Sequence, residues 1–275
     1  MNLDPHARYL FLFAHFDDDV FVAGTMNILL QQGAELHCAW LTSGDYFGQG
    51  NVREKELDRV MSILGLPESH VHRLGFPDLG LVKELGEALE EVTELMTQLR
   101  PDTVFATAYE GGHPDHDAVN FLASEGSSRA GILPELYEFP LYNGAGKPYH
   151  CHWRINSFAT DEPRPCFNRL DDAAIRCKHR IIRTYSSQWM YMVPARLSAT
   201  RRRLSRIGEP YRPCPRDRDY TTPPHKGTIN YERWFNSFMN IKFRDFSHAV
   251  TEARSVPRET APLPSPGAKN ENIPT

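Results

Sequence analysis

Cysteine is scarce in this chain of 275 residues: there are five, and none forms a Cys-x-x-Cys pair. The odd number argues against a disulfide framework, and the missing pairs argue against a zinc site built from cysteines. A reducing, cytoplasmic compartment is therefore expected. The cysteines are Cys38, Cys151, Cys166, Cys177 and Cys214.

Long apolar runs are also missing. The apolar run at residues 9–14 is short, follows no cationic region and leads into charged residues, so we expect no secretory signal. No uncharged stretch approaches the roughly 20 residues that a membrane-spanning helix requires. The sequence therefore predicts a soluble protein without a membrane span.

Neither sign of charge predominates, and phosphate-binding motifs are missing. With 31 Lys and Arg against 35 Asp and Glu, the formal net charge is −4, which gives no reason to expect nucleic acid as a partner. The glycine-rich loop at residues 44–50 lacks Gly-Lys-Ser/Thr and does not open the first helix. It is therefore not predicted to cradle a phosphate.

Strand-like and helix-like segments alternate through the first half of the chain. Strands are predicted at 8–14, 35–42, 70–74, 103–108 and 135–142, and helices at 18–32, 52–64, 83–99 and 117–124. This order implies right-handed crossovers and a parallel sheet. We predict an α/β fold, a Rossmann-like, doubly wound, mainly parallel sheet with helices on both faces and a C-terminal extension.

The pattern weakens after residue 149. Helices are predicted at 171–185 and 194–207 and a proline- and arginine-rich loop at 212–224, whereas the aromatic-rich stretch 231–246 is ambiguous. The last stretch has almost no large apolar side chains, which predicts disorder. We therefore divide the chain into a main domain (1–190), an extension packed on it (191–254) and a disordered tail (255–275).

Two clusters of metal-type ligands follow predicted strands one and four. They are His15-Phe16-Asp17-Asp18-Asp19 and His113-Pro114-Asp115-His116. In a doubly wound sheet these strands are neighbours at the switch point, so the clusters should face each other. Imidazoles and carboxylates are ligands of catalytic zinc, which keeps an open position for water. A spare carboxylate and a spare imidazole would then act as general base and oxyanion donor, which predicts hydrolysis of an amide or ester.

Each cluster alone also has a simpler interpretation. The three aspartates at 17–19 are suited to capping a helix and to interacting with its positive end. His113 is suited to capping a helix that begins at Pro114. One His-x-x-His is a weak signal, whereas two clusters at strand ends of one predicted parallel sheet favour the metal site.

At these residues the sequence resembles the LmbE-like or PIG-L-like family of zinc-dependent de-N-acetylases. That family includes N-acetylglucosaminyl-phosphatidylinositol deacetylase and the deacetylases of mycothiol and bacillithiol synthesis. Its motif Ala-His-Pro-Asp-Asp-Glu appears here as Ala-His-Phe-Asp-Asp-Asp at 14–19, and His-Pro-Asp-His is intact at 113–116. Weaker matches are Arg53, Glu56, Leu57, Phe76-Pro77-Asp78, Lys178 and Ser187-Gln188, so the resemblance spans about residues 8–190.

The resemblance implies a role for each matched position. The metal ligands would be His15, Asp18 and His116, with zinc as the metal and iron(II) as the other candidate. Asp17 would be the general base on the zinc-bound water. His113 would stabilise the oxyanion or protonate the leaving amine, with Asp115 orienting it. Two further matches would contact the sugar, namely Arg53 and Asp78.

Three positions depart from the family pattern. Phe16 replaces the motif proline and Asp19 replaces its glutamate, but neither position is a ligand in the family, so metal binding should survive. Phe16 adds bulk at the mouth of the site and puts the substrate choice in question. Tyr185 stands where many members have histidine, and plain helix packing explains it equally well.

Two features outside the motifs have competing interpretations. The arginines of the stretch 196–218 would form a solvated face, or they would border the site and attract an anionic substrate. The aromatic residues are expected in the core or at a subunit contact rather than as a sugar platform. They are Tyr231, Trp234, Phe235, Phe238 and Phe243.

The predicted function is that of a zinc-dependent hydrolase that removes an acetyl group from an amide nitrogen, through attack by zinc-bound water assisted by Asp17. The family resemblance alone points to an N-acetylglucosamine-type sugar conjugate as the small-molecule substrate. The alternatives are an amidase acting on a non-sugar or thiol-conjugate amide, and a non-catalytic metal- or nucleotide-binding α/β module. A homo-oligomer is left open.

Overall fold

The fold was analysed in a computed structural model of the full chain. The structure describes residues 3–46, 48–146, 154–226, 229–233 and 240–256. The strands of its first half are β1 (Arg8–Phe13), β2 (Glu35–Thr42), β3 (Val71–Phe76), β4 (Thr103–Thr107) and β5 (Glu135–Phe139). The helices between them are α1 (Ala23–Gln31), α2 (Gly50–Leu64), α3 (Leu85–Leu99) and α4 (Pro114–Arg129).

The central sheet confirms the predicted α/β fold. Its seven strands run in the order β3-β2-β1-β4-β5-β9-β8, where β9 is Glu209–Pro213 and β8 is Cys166–Asn168, and the first five are parallel. β1 lies between β2 and β4, as expected at a switch point, and Leu10 pairs with Val104. The carboxyl ends of β1 and β4 are therefore adjacent at one edge of the sheet.

Helices cover both faces of the sheet, which explains why β1 is apolar at every position after Arg8. Phe11 and Phe13 point into one core with α1 and α2, whereas Leu10 and Leu12 point into a second core with α3 and α4. All four side chains are fully buried. Because side chains alternate along a strand, burial on both faces requires an uninterrupted apolar run.

The second half of the chain extends this sheet. It contains β6 (Tyr142–Asn143), β7 (Arg154–Ile155), β8 (Cys166–Asn168), α5 (Asp172–Thr184), α6 (Trp189–Leu204), β9 (Glu209–Pro213), α7 (Asn230–Arg233) and α8 (Phe243–Ser255). β9 pairs antiparallel with both β5 and β8. The three-way division into domains stays a prediction, and the tail from residue 257 lies outside the described residues.

Three predicted segments differ from the structure. The loop predicted from residue 212 begins within β9, which sequence reasoning missed because Pro210 and Pro213 argue against a strand. Strand five ends at Phe139 because Pro140 has no N–H to continue the ladder. α6 begins at Trp189, five residues before Pro194, which stands inside the helix.

The described residues bear on the expectations about membrane spans and disulfides. In the part of the chain that the structure describes, no helix is long and apolar enough to cross a membrane. The four described cysteines, Cys38, Cys166, Cys177 and Cys214, are free thiols.

A histidine cluster joins β2 and β3 away from the switch point. His37 Nδ1 lies 3.2 Å from His72 Nε2, and the rings of His37 and His70 stack 4.1 Å apart. Glu35 Oε1 lies 3.2 Å from His37 Nε2. Burial, followed by repulsion from His37 and His70, lowers the pKa of His72 to about 4.

This cluster predicts a loss of stability at acid pH. The unfolded chain binds more protons than the folded chain between pH 4 and about 6.5, so the free energy of unfolding falls as the pH drops through that range. His72→Asn should reduce the difference between urea midpoints at pH 7.5 and pH 5. The exposed His6→Gln should leave that difference unchanged. An unaltered difference in the His72 variant would contradict the assignment.

Candidate metal centre and catalytic cleft

The two ligand clusters meet at the carboxyl ends of β1 and β4. The first lies in the turn that leads from β1 to a 3-10 helix, Asp18–Phe21, and the second at the start of α4. Asp17 has φ 138°, a conformation that is strained for a residue other than glycine. Such strain is found where the surrounding structure holds a functional loop in place.

Asp18 is held rigidly at the floor of the site. Its Oδ2 accepts hydrogen bonds from the backbone N–H groups of Ala14 (3.0 Å) and His15 (2.8 Å). Its Oδ1 lies 3.2 Å from His116 Nε2. Asp17, the N-cap residue of the 3-10 helix that begins at Asp18, makes no capping hydrogen bond through its side chain, so helix capping does not explain its carboxylate.

His15, Asp18 and His116 bring two imidazole nitrogens and a carboxylate close together, and one nitrogen from each of His15, His113 and His116 also lies within 4.8 Å of the others. His15 Nδ1 lies 3.3 Å from His116 Nε2 and 3.6 Å from Asp18 Oδ2. Two ligand atoms bound about 2.05 Å from a tetrahedral ion lie about 3.3 Å apart. These side chains are buried. Nitrogen and carboxylate donors in this arrangement fit a divalent metal such as zinc.

The far side of the His15 ring contacts two carboxylates. His15 Nε2 lies 3.2 Å from Asp78 Oδ1 and 3.2 Å from Asp115 Oδ2, and Asp115 Oδ2 also accepts from the backbone N–H of Leu79 (2.9 Å). Burial opposes a charged ring, but Asp78, Asp115 and Asp18 outweigh it and hold the pKa of His15 well above its ordinary value. A carboxylate behind a histidine ligand orients the ring toward the metal.

His113 caps α4 and also faces the cleft. Its Nδ1 accepts the backbone N–H of Asp115 (3.1 Å), so in the neutral ring Nε2 carries the proton. Burial, then the neighbouring His15 and His116, lowers the pKa of His113 well below its ordinary value. His113 therefore both caps α4 and contributes its side chain to the site. Asp115 contacts His113 through its backbone, whereas its carboxylate contacts His15.

Asp17 and Asp78 share a buried arginine. Arg53 Nη2 donates to Asp17 Oδ1 (3.1 Å) and to the carbonyl of Phe16 (2.8 Å), and Arg53 Nη1 donates to Asp78 Oδ2 (3.2 Å) and to the carbonyl of Gly44 (3.1 Å). Burial raises the pKa of Asp17 to about 7 against the opposing charge of Arg53. Together with the contacts described above, these bonds connect all eight residues predicted for the site.

These residues form the floor of a cleft with a cavity of about 110 Å³. The floor is polar, with His15, Asp17, Asp18, His113 and His116 exposed to the cavity. The wall is largely apolar and comes partly from elements beyond the motifs. Its apolar and aromatic members are Phe21, Tyr46, Leu79, Tyr142, Ile155, Tyr191, Met192 and Pro194.

Comparisons with known proteins find the family whose motifs the sequence resembles. Residues 10–126 match the family model described as PIG-L, GlcNAc-PI de-N-acetylase. The N-acetylglucosaminyl-phosphatidylinositol de-N-acetylase of Bos taurus is 31% identical over 121 residues, 42% of this chain and 48% of that protein. The diacetylchitobiose deacetylase of Thermococcus kodakarensis is 29% identical over 189 residues, 64% of this chain and 67% of that protein.

A solved structure has the same architecture. A conserved protein of Thermus thermophilus is 25% identical with a TM-score of 0.57, and the match covers 74% of this chain and 93% of that one. Residues 10–126 of this chain therefore resemble the PIG-L (LmbE-like) family in sequence. The chain spans about half the length of the bovine relative.

The weaker PIG-L matches are connected to one another in the structure. Glu56, on α2 beside Arg53, accepts hydrogen bonds from Ser186 Oγ (3.0 Å), Ser187 N (2.9 Å) and Ser187 Oγ (2.6 Å). Gln188, the next residue, lines the cleft. The Glu56 carboxylate therefore ties the start of α6 to the helix that carries Arg53.

The departures from the PIG-L pattern contact each other or the core. The Tyr185 hydroxyl donates to Asp19 Oδ1 (2.6 Å), and both side chains are fully buried. The Phe16 ring is buried rather than at the mouth of the cleft. Its contribution to the site is its carbonyl, which accepts from Arg53.

The loop before His113 is shaped by residues to which the sequence analysis assigned no role. A Cβ on Gly112 would lie 1.9 Å from the carbonyl oxygen of Tyr142, so only glycine permits this approach. Glu110 Oε1 accepts from the backbone N–H groups of Leu141 (2.8 Å) and Tyr142 (3.0 Å). The run Glu110-Gly111-Gly112 was a detectable signal, whereas the position of Tyr142 depends on tertiary contacts.

Proposed function

We propose that this protein is a metal-dependent N-deacetylase that hydrolyses the acetamide of an N-acetylglucosamine-type conjugate. The observation that carries the proposal is the geometry of the cleft floor. Two imidazoles and a carboxylate that lie close together stand beside a second carboxylate and a neutral imidazole that the proposed ligand set would not use. The names of the bovine and Thermococcus relatives support an acetylated amino sugar as the substrate class.

The ligand residues would hold zinc or another divalent metal. A bound metal would lower the pKa of a water molecule and polarise the amide carbonyl. The donor atoms would be His15 Nδ1, His116 Nε2 and a carboxylate oxygen of Asp18, and the 3.3 Å between the two nitrogens is the spacing of two ligands on a tetrahedral ion. Asp115 and Asp78 would hold the His15 ring in its orientation.

The remaining side chains would carry the protons. Asp17 would take a proton from the attacking water and pass it to the departing amine nitrogen, so that the products are acetate and a free amine. Arg53 holds Asp17 in place, with 3.1 Å between Nη2 and Oδ1. His113 would donate its Nε2–H to the carbonyl oxygen as negative charge develops there.

The cleft combines a polar floor, suited to an amide, with an apolar wall, suited to an apolar group attached to that amide. Tyr142, Ile155, Tyr191 and Met192 would contact the part of the substrate that leads away from the amide. This wall favours a sugar that carries an apolar aglycone.

The unpaired thiols of the described cysteines are consistent with a cytoplasmic location, which we include in the proposal.

Amine release after removal of the metal tests this function. The protein is treated with a chelator, assayed against a panel of N-acetylglucosamine derivatives, and assayed again after zinc or iron(II) is added. We expect release of free amine to fall by at least about 100-fold on chelation and to return with the metal. The N-propionyl derivatives serve as matched controls and should react more slowly. Silence across the panel with one metal bound per chain would refute the sugar amide as the substrate.

A further inference from the structure

α6 exposes an apolar stripe to solvent. Met190, Val193, Leu197 and Leu204 have exposed fractions of 63%, 51%, 66% and 80%. They are spaced i, i+3, i+7 and i+14, which places them on one side of a helix over about 21 Å. Trp189, exposed at 64%, extends the stripe at its N-terminal end.

The opposite side of α6 is the side that packs on the protein. Met192, Ala195 and Ala199 are buried there. α6 is therefore apolar on two opposite sides, although the fold uses only one. A contiguous exposed apolar patch marks an interaction site more often than single exposed residues do.

Positive charge borders this stripe. Residues 172–206 contain nine Lys and Arg and a single acidic residue, Asp172, and of these nine Lys178 is buried and paired with Glu209. Arg196 and Arg203 lie along one border of the stripe, Arg201 along the other, and all three are exposed. A helix with an apolar face bordered by arginines is the pattern of an interfacial, membrane-surface helix.

The predicted arginine stretch thus separates into two groups. Arg212 and Arg218 are bound to the buried carboxylate of Glu138 and contribute no free charge to the surface. Three exposed arginines of α6 are not paired in this way. No described carboxylate lies within salt-bridge distance of Arg196, Arg201 or Arg203. Their charge is available to an anionic partner.

We propose that the outer side of α6 docks on the surface of an anionic lipid bilayer. The apolar side chains would enter the boundary between headgroups and acyl chains, and the bordering arginines would contact acidic headgroups. Charge complementarity favours this occupant over a second copy of the chain, because pairing two such faces would bring like charges together. Trp189 at the end of the stripe suits the same boundary.

The position of α6 connects docking with the cleft. Its first two turns supply Tyr191, Met192 and Pro194 to the cleft wall. A docked α6 would therefore hold the mouth of the cleft near the bilayer, where an amide on a membrane-anchored conjugate is reached. This last step rests on the proposed deacetylase function, whereas docking itself does not.

Cosedimentation of the full chain with vesicles tests docking without an activity assay. The probes are vesicles of phosphatidylcholine alone and of equal parts phosphatidylcholine and phosphatidylglycerol. We expect binding to the anionic vesicles that weakens with added salt. Leu197→Asp should reduce partitioning by at least about tenfold, and Arg196→Gln and Arg203→Gln by about fivefold each.

Matched controls lie elsewhere on the surface. Leu133 is 85% exposed on the turn before β5, and the Arg244 side chain is 73% exposed on α8. Leu133→Asp and Arg244→Gln should bind like the wild type. Docking through α6 is refuted if no vesicle binds the chain, if Leu197→Asp binds as well as Leu133→Asp, or if Leu197→Asp instead converts a dimer to a monomer.

Discussion

Asp17→Asn is expected to lower kcat by about 10²- to 10⁴-fold while the protein keeps its bound metal, because an amide does not accept a proton from water. The amide has the shape of the carboxylate and keeps an acceptor for Arg53 Nη2, which lies 3.1 Å away. The proposed ligands His15, Asp18 and His116 are unchanged in this variant. Steady-state kinetics on purified protein, together with metal analysis of the same sample, measure both quantities.

Asp19→Asn is the matched control for this change. Asp19 is also a buried carboxylate of the same turn, but it accepts from the Tyr185 hydroxyl and does not line the cleft. Burial raises the pKa of Asp19 to about 7, so a neutral amide is tolerated there. Its kcat should fall much less than that of the Asp17 variant. Normal turnover in Asp17→Asn would exclude Asp17 as the base, and loss of metal would make it a ligand.

Glu138→Gln is expected to reduce the free energy of unfolding by about 3–5 kcal/mol, because it leaves two buried guanidinium groups without a counter-charge. Glu138 Oε1 accepts from Arg212 Nε (2.7 Å) and Oε2 from Arg218 Nη1 (2.6 Å). Asn120 Nδ2, on α4, also donates to Oε2 (2.9 Å). Chemical denaturation followed by circular dichroism measures the loss.

Glu35→Gln provides the comparison for a surface pair. Glu35 Oε1 accepts from Arg8 Nε at 2.8 Å, but both side chains are partly exposed, and such pairs contribute only about 0–1 kcal/mol. Replacing Arg212 and Arg218 by methionine in the Glu138→Gln background should recover part of the stability. If Glu138→Gln cost no more than Glu35→Gln, the buried network would not stabilise the fold.

The first half of the chain was predictable because its signals are local. The uninterrupted apolar run of β1 predicts burial on both faces. In a doubly wound parallel sheet the first and fourth strands are neighbours, and β1 does pair with β4. The ligand clusters directly follow those strands. Their meeting is therefore a consequence of chain order, and the structure brings all eight predicted site residues together.

The contacts within the site were less predictable. Asp115 was predicted from the family resemblance to orient His113, and its backbone N–H does bond to that ring, but its carboxylate contacts His15. Which of several nearby carboxylates faces a given ring depends on backbone angles in two loops and on the N–H of Leu79. Sequence spacing does not contain those angles.

The arginine-rich stretch illustrates the same limit. Arg212 and Arg218 belong to a buried network, whereas Arg196, Arg201 and Arg203 stay at the surface beside an apolar stripe. Arginines of the same stretch therefore occupy two different environments. The packing of β9 against β5 places Arg212 beside Glu138, and this strand was not predicted because its prolines argue against a strand.

By itself, the sequence determined the α/β class, the adjacency of the first and fourth strands and the position of the two clusters at strand ends, because these follow from local periodicity and from the order of elements along the chain. The tertiary structure alone decided the apolar wall of the cleft, the partners of each carboxylate and the exposed side of α6. Those features join residues far apart in the chain, and their contacts depend on how separate elements pack together.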